Sequence, residues 1–500
     1  MVASYTTAAA AEIARRAVLP ENNIGTLHKF CYNAIDKPPV AESKAKSIRA
    51  WNEYAPAYAM SLPGCSDILN SGFEYGDSAT PGDNLMALTT ILRNRLVPVE
   101  QWPAHARAFL DTWSDWKALE GVIDYTDMLE IALRDTETAP RNPEIIFVDE
   151  AQDCTALQFA VIKKWGAHCD RLIMVGDDDQ CIYQFAGATP EAFACSDIGP
   201  NDQLLEQSYR VPEAVWKYAT DWISRVPDRI KKPYLPRADA AGFVKSCPLT
   251  WKQGPELVKL IEQVIARYES VIVIASCSYM IDPLRQALLA SGIPFHNPYR
   301  RIRADWNPLS LSTGTTFAQR LAAFFALDIA YPPRDWWTPD ELRAFASVLS
   351  AKTCFNKGMK GKLESDNIEK VDLDTLKYYF TNEAMNGIMK SDIDWWQANL
   401  VNDEARRKAA YPLKIVDRYG KLYLDAAQSE PAVTIGTIHS VKGGEADVVI
   451  IFPDLSQQGM QEWTGKGRSA IRRLMYVGLT RAREGVFVCK AASPYTSDLS

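Results

Sequence analysis

Five hundred residues with 47% hydrophobic content can bury more than one core, so roughly two to four domains are expected. Ten cysteines without a C-x-x-C pair and five dispersed histidines exclude a disulfide framework or zinc centre and fit free thiols in a reducing compartment. The net charge of −7 excludes a globally basic nucleic-acid binder but not a local basic groove, and no apolar run approaches the ~18 residues of a membrane span.

In chain order, residues 2–6 read as a short strand followed by an alanine-rich helix. Arg15-Arg16 and the Ser, Thr and Ala around them give residues 4–19 the look of a transit peptide, but Glu12 and the lack of Arg periodicity argue against one. A cytoplasmic protein is expected. Residues 23–26 form a second strand. The region that follows holds Trp51, Trp102, Trp113 and Trp116 and a loop-rich patch at 61–83, and reads as an inserted helical subdomain. Strands are next expected at 145–148 and 171–175.

A second strand set begins near Leu204, with candidates at 242–245, 271–275, 433–437, 447–452 and 485–489. Helices at 255–268 and 283–291 separate them, the alternation of a parallel α/β sheet. Residues 297–430 interrupt this set with a polar, mostly helical stretch containing Trp336-Trp337 and Trp395-Trp396. The expected fold class is therefore α/β, with two parallel-sheet domains that each carry a mainly helical insertion. The first domain would comprise 1–33 and 121–203, with its insertion at 34–120; the second would comprise 204–296 and 431–500, with its insertion at 297–430.

Ile145-Ile146-Phe147-Val148-Asp149-Glu150 is the most informative stretch. Four apolar residues predict a buried strand, and it ends on two carboxylates. Acids at the carboxyl end of a strand in an α/β sheet sit where ligands bind. There Asp149 suits a Mg²⁺ ligand and Glu150 a base for an attacking water, although a strand also ends on acids where its loop is merely solvated. A second apolar strand leads into Gly176-Asp177-Asp178-Asp179-Gln180, whose amide could sense a terminal phosphate. Arg210 and Arg481 lie further on; each is either a surface or capping arginine or one of a pair reaching that phosphate, a role that contributes ~10³–10⁵ in rate.

The order of these segments closely resembles the UvrD/Rep-type DNA helicases of superfamily 1. Val148 through Asp153 (VDEAQD) is similar to their Mg²⁺-binding motif, and Gly176 through Ala188 (GDDDQCIYQFAGA) to the motif that joins ATP sensing to DNA contact. Leu205 through Arg210 (LEQSYR), Thr437 through Glu445 (TIHSVKGGE) and Leu474 through Arg483 (LMYVGLTRAR) resemble the later motifs. Tyr5 through Glu12 and Gly25 through Phe30 resemble two early DNA-contacting ones.

The resemblance implies RecA-like domains, ATP and Mg²⁺ as cofactors, and 3′→5′ movement on single-stranded DNA toward duplex junctions. It implies Asp149 on the metal, Glu150 as base, Gln180, Arg210 and Arg481 at the γ-phosphate, and Glu445 near the nucleotide sugar. It further implies DNA contacts from Thr6, Thr26, His28, Tyr183, Phe185, Thr437, His439 and Ser440. Tyr183 and Phe185 suit that role independently, since bases stack on aromatics without being read, at roughly 1–3 kcal/mol each. Phe185 could instead be core, although its flanking polar residues favour the stacking role, and His28 and His439 taken alone would be structural.

Three departures stand out. Gln184 and Ala186 occupy positions where the family carries arginine, Gly444 replaces a leucine, and Leu27 replaces an aromatic. A further one concerns the Gly-rich phosphate loop, G-x-x-x-x-G-K-S/T, whose amides cradle phosphate. No such segment occurs, and Met1 falls near the strand that would follow it; the stretch Gly459 to Gly467 has the wrong spacing. Three explanations stay open: a fragment or misplaced start, one half of a split gene whose other chain supplies the loop, or a relative silent toward ATP. The expectation is a helicase chain that hydrolyses ATP poorly as given. The alternative is a non-catalytic single-stranded DNA-binding module.

Overall fold

The computed structural model of the protein describes residues 1–4, 20–61, 80–188, 203–300, 303–311, 314–424 and 430–499. Two all-parallel sheets organise it. The first contains β1 (Val2–Ser4), β2 (Ile24–Thr26), β3 (Ile145–Asp149) and β4 (Arg171–Met174) in the order β2-β1-β3-β4. The second contains β5 (Phe243–Cys247), β6 (Val271–Ala275), β7 (Phe295–His296), β8 (Val433–Thr437), β9 (Ala446–Ile451) and β10 (Ala482–Cys489), in the order β5-β10-β9-β6-β8-β7. Parallel pairing brings carboxyl ends into line, so Ser4 stands beside Asp149 and Ala275 beside Thr437. The α/β class with helix-rich segments matches the expected one.

The two sheets differ in how they are covered. Every residue of β6 and β8 is buried, as β-branched runs between two helical layers should be. In β3 burial alternates instead: Ile146 and Val148 are covered, whereas Ile145 and Phe147 are 38% and 40% exposed. The fully buried strand expected at 145–148 is thus only half right. Helices Tyr125–Asp135 and Ala156–Gly166 pack Leu129, Leu157 and Val161 onto Ile146 and Val148, while no comparable cover reaches Ile145 and Phe147 among the described residues. The expected strand at 2–6 is present through Ser4; Thr6 and the alanine-rich segment lie outside the described residues.

Between β2 and β3 a cluster of its own gathers Trp51, Phe109, Trp113 and Trp116 with Met86 and Ile48. Trp51 meets the edge of Trp113 at 4.8 Å between ring centres. The patch at 61–83 is not all loop: Thr80 and Asp83 form a reciprocal cap that starts helix Pro81–Asn94, with Pro81 at its first position. At its far end Arg93 is buried and binds Asp124 at 2.8 Å, Asp127 at 2.5 Å and Glu130 at 2.7 Å, tying this helix to the start of helix Tyr125–Asp135.

Residues 297–430 behave differently. Their buried Phe324, Phe345, Leu376 and Trp396 belong to one continuous cluster with Val271 and Val273 of β6. Tyr411 donates its hydroxyl to Ile293 O at 2.9 Å, fixing helix Asp403–Tyr419 beside β7. The short strand β7 was not expected, because two residues carry no alternation to detect. No helix among the described residues is long and apolar enough to cross a membrane.

Trp113 is fully buried between two aromatic neighbours. Trp113→Ala should cost about 3–5 kcal/mol in the stability of the helical region. A lowered midpoint in urea denaturation followed by circular dichroism checks this; an unchanged midpoint contradicts it.

Candidate functional site

The carboxyl end of β3 delivers Asp149 and then turns sharply. Glu150 adopts a left-handed conformation (φ 55°), uncommon for a residue with a side chain and a feature of constrained sites. The turn is held by Ala151 N, which donates to Val175 O at 2.9 Å, and by buried Gln152. The Gln152 amide donates to Glu150 Oε2 at 2.5 Å and accepts from Asp177 N at 3.0 Å, joining both acidic loops.

Burial and the neighbouring Glu150 push the Asp149 carboxyl above its usual range. For Glu150 burial acts in the same upward direction, but Lys442 and the Gln152 amide outweigh it and hold the carboxyl below its usual value. Lys442 reaches in from the loop after β8. Its side chain is 5% exposed, and it pairs with Asp153 and with Glu150 (3.3 Å) and donates to Gln180 O at 2.8 Å. Burial works against the ammonium charge, but the two carboxylates prevail and raise its pKa.

The acidic run 177–179 also meets cations from the segment that leads into β5. Lys232 pairs with Asp177 at 2.5 Å and with Asp178, and Arg229 grips Asp179 with donors at 2.8 and 2.5 Å. Oxygens from the three acids approach within 4.8 Å of one another, as in a metal site, yet Lys232 and Arg229 already pair with them. Asp149 is the better metal position: a half-buried single carboxylate at a strand end fits Mg²⁺, which is held largely through water and phosphate.

Gln180 spans the two halves. Its amide donates to Asp177 Oδ2 at 2.8 Å and accepts from Arg481 Nη2 at 3.0 Å. Arg481 is 2% exposed; burial first, and then the charge of Arg210, lower its pKa to about 10. Arg210 pairs with Glu445 at 2.9 Å and donates to Thr480 O at 3.3 Å. The structure therefore brings Asp149, Glu150, Gln180, Arg210, Glu445 and Arg481 to one charged neighbourhood between the sheets.

The residues expected on DNA divide into two groups. Thr26 caps helix Leu27–Ala34 by accepting from Lys29 N at 3.2 Å, and His28 lies edge-on to Tyr125 at 6.5 Å; both keep some surface. Phe185 is half-buried and edge-on to His439 at 5.3 Å. Tyr183, Thr437, His439 and Ser440 are buried, which departs from the expectation of open DNA contacts. The Tyr183 hydroxyl donates to His439 O at 3.2 Å, and Ser440 Oγ donates to Thr437 O at 2.8 Å while accepting from Asn297 Nδ2 at 3.1 Å. The loop after β8 is sandwiched between the halves, so its polar groups are used internally. Thr6 lies outside the described residues.

Two departures acquire physical reasons. A Cβ at Gly444 would stand 2.2 Å from Tyr299 Oη, so the tyrosine ring fills the space a leucine would need. Leu27 is 5% exposed and packs in the first sheet's core with Ala3 and Val148. Lys442, Lys232 and Gln152 were missed; Lys442 and Gln152 sit within quoted motifs and Lys232 in none, and only their buried partners mark them as part of the site.

Comparison with known proteins gives a consistent result. Residues 1–197 match the UvrD/REP helicase N-terminal domain, and residues 432–489 match the UvrD-like helicase C-terminal domain. A probable DNA helicase II homolog of Rickettsia felis is 22% identical over 440 residues, covering 75% of this chain and 66% of that protein. DNA helicase II of Escherichia coli is 26% identical over 219 residues, 40% of this chain and 29% of that protein. ATP-dependent DNA helicase Rep of Buchnera aphidicola from Acyrthosiphon pisum is 25% identical over 161 residues, 30% of this chain and 25% of that protein. The chain spans just under two thirds of the length of the Rickettsia relatives it matches.

Burial holds His28 and His439 neutral, lowering each from 6.5 to about 4. Between those values the unfolded chain binds more protons than the folded one, so stability falls as pH drops from about 6.5 toward 4. The loss of thermal midpoint between neutral and mildly acidic buffer should be smaller in the double variant His28→Gln/His439→Gln. An equal loss in variant and parent contradicts the assignment.

Proposed function

We propose that this chain, whose residues 1–197 and 432–489 match UvrD-type helicase domains, is an ATP-dependent translocase on single-stranded DNA. It advances 3′→5′ and opens duplex at a junction. ATP binds between the two sheets. Asp149 would hold Mg²⁺, Glu150 would accept the proton of the attacking water, Gln180, Arg210 and Arg481 would contact the terminal phosphate, and Glu445 would lie near the sugar. The bound metal supplies charge neutralisation on the phosphates.

One observation carries this reading. A continuous polar chain crosses from one sheet to the other, from Glu150 through Lys442 to Gln180 and on to Arg481. A phosphate entering beside Gln180 offers Arg481 an anionic acceptor in place of a neutral amide oxygen, and offers Arg210 an alternative to the half-exposed Glu445 carboxylate. Such a ligand tightens the cleft, and its loss relaxes it. The strand to be moved passes Phe185, Thr26 and His28, the members of the expected DNA set that retain surface.

These 500 residues contain no G-x-x-x-x-G-K-S/T, and by themselves they should turn ATP over slowly even with DNA present. The same feature favours a second reading, a single-strand-binding module without turnover.

ATP with Mg²⁺ should change the affinity for a labelled oligothymidylate measured by fluorescence anisotropy. Arg210→Gln should abolish that change and leave nucleotide-free affinity intact. Phe185→Ala should weaken binding by about 1–3 kcal/mol with or without nucleotide. Affinity indifferent to ATP in the parent chain would support the module instead, and brisk DNA-stimulated hydrolysis by the 500 residues alone would contradict slow turnover.

A further inference from the structure

The loop from Tyr183 to Ala188 presents Phe185 against His439, yet it contains no lysine or arginine. A single strand stacked on Phe185 brings its phosphates with it. On a chain of net charge −7 those phosphates must be met by local cations, since neutralisation of phosphate supplies most of the affinity for an unread strand.

Two arginines arrive from outside the loop. Arg95 stands at the end of helix Pro81–Asn94 and donates Nη2 to Gln184 O at 2.8 Å, in a solvent-exposed contact. The approach is close: Gly187 has φ 100°, and a Cβ there would sit 3.4 Å from Asn94 Cβ. The helix end is thus fitted against the loop, with a guanidinium beside the residue that precedes Phe185.

Arg300 comes from a different part of the chain, on the side of the second sheet. It lies in the turn after β7, where Arg300 N donates to Asn297 O at 3.1 Å. Buried Asn297 anchors this turn to the loop after β8, donating Nδ2 to Ile435 O at 2.8 Å and to Ser440 Oγ at 3.1 Å. Ser440 adjoins His439, whose ring faces Phe185 and whose carbonyl accepts from Tyr183. After burial and the other local groups, the positive charge of Arg300 is felt by both Tyr183 and His439.

We propose that Arg95 and Arg300 flank Phe185 as two phosphate contacts for single-stranded DNA, one from each half of the molecule. The strand is then clamped across the cleft: its base rests on the aromatic ring and its backbone is held from both sides. Charge missing from the loop itself is supplied by its neighbours. This inference rests on the single-strand reading above.

Oligothymidylate affinity measured by anisotropy over a range of salt concentrations tests it, without any need for ATP turnover. Arg95→Gln and Arg300→Gln should each flatten the plot of log affinity against log salt by about 0.7, and the double variant by about 1.4. Arg95→Lys should keep the parental slope. Parental slopes in both glutamine variants, while Phe185→Ala still weakens binding, would overturn the clamp and leave the single-strand reading standing. A parent chain that does not bind, or that binds indifferently to Phe185→Ala, would remove the reading itself. Circular dichroism checks folding, and because Arg95 is exposed its variants decide the matter if Arg300→Gln does not fold.

Discussion

A single buried ammonium organises the cleft. Lys442, from the loop after β8, lies among Asp153, Glu150 and the carbonyl of Gln180, all from the first half of the chain. Burial of either sign alone costs several kcal/mol, and removing one partner of such a pair typically costs about 3–5 kcal/mol because the other charge is stranded. Each half is therefore electrostatically incomplete. The first carries a surplus of buried carboxylate, and the second carries the cation that makes this tolerable. Arg229 and Lys232 repeat the pattern on Asp177, Asp178 and Asp179, and Arg473 adds a bond to Asp178 O at 2.9 Å.

An interface built this way is specific in geometry without being strongly cohesive. A buried ion pair sets off desolvation against attraction, so its net contribution is small even where its disruption is expensive. A ligand that supplies alternative charge can then shift the balance, provided it interacts differently with the open and closed arrangements. Gln180 is suited to report such a ligand: it is neutral, and it is held between an acid of its own loop and the arginine of the other half. The same cleft continues into the Phe185–His439 contact, so the groups proposed to sense phosphate and to contact the strand share one loop.

Much of this is legible in the amino-acid order. Strands such as β6 and β8 have their predicted bounds because β-branched runs covered on both faces leave an unbroken apolar signature. Asp149, Glu150, Gln180 and Arg481 sit in dense local patterns, and the fold converges them. Burial of individual side chains is less legible. Tyr183 looks like an open stacking surface in the sequence but is covered, because the packing of one half against the other is a long-range property. Ile145 and Phe147 err in the opposite direction, apolar yet exposed, since cover depends on elements distant in the chain. Lys442 and Lys232 resemble surface lysines until their partners, far away in sequence, are known. The cap formed by Thr80 and Asp83 was readable but lay inside a stretch whose glycine and proline drew it toward loop.

Opening and closing of the cleft can be followed through energy transfer between one dye near the end of β3 and another near the start of β10. Addition of ATP with Mg²⁺ and oligothymidylate should change the transfer efficiency, and Arg210→Gln should suppress the nucleotide-dependent part. An efficiency indifferent to nucleotide, in a chain that demonstrably binds the oligonucleotide, would contradict a nucleotide-driven motor built around this cleft.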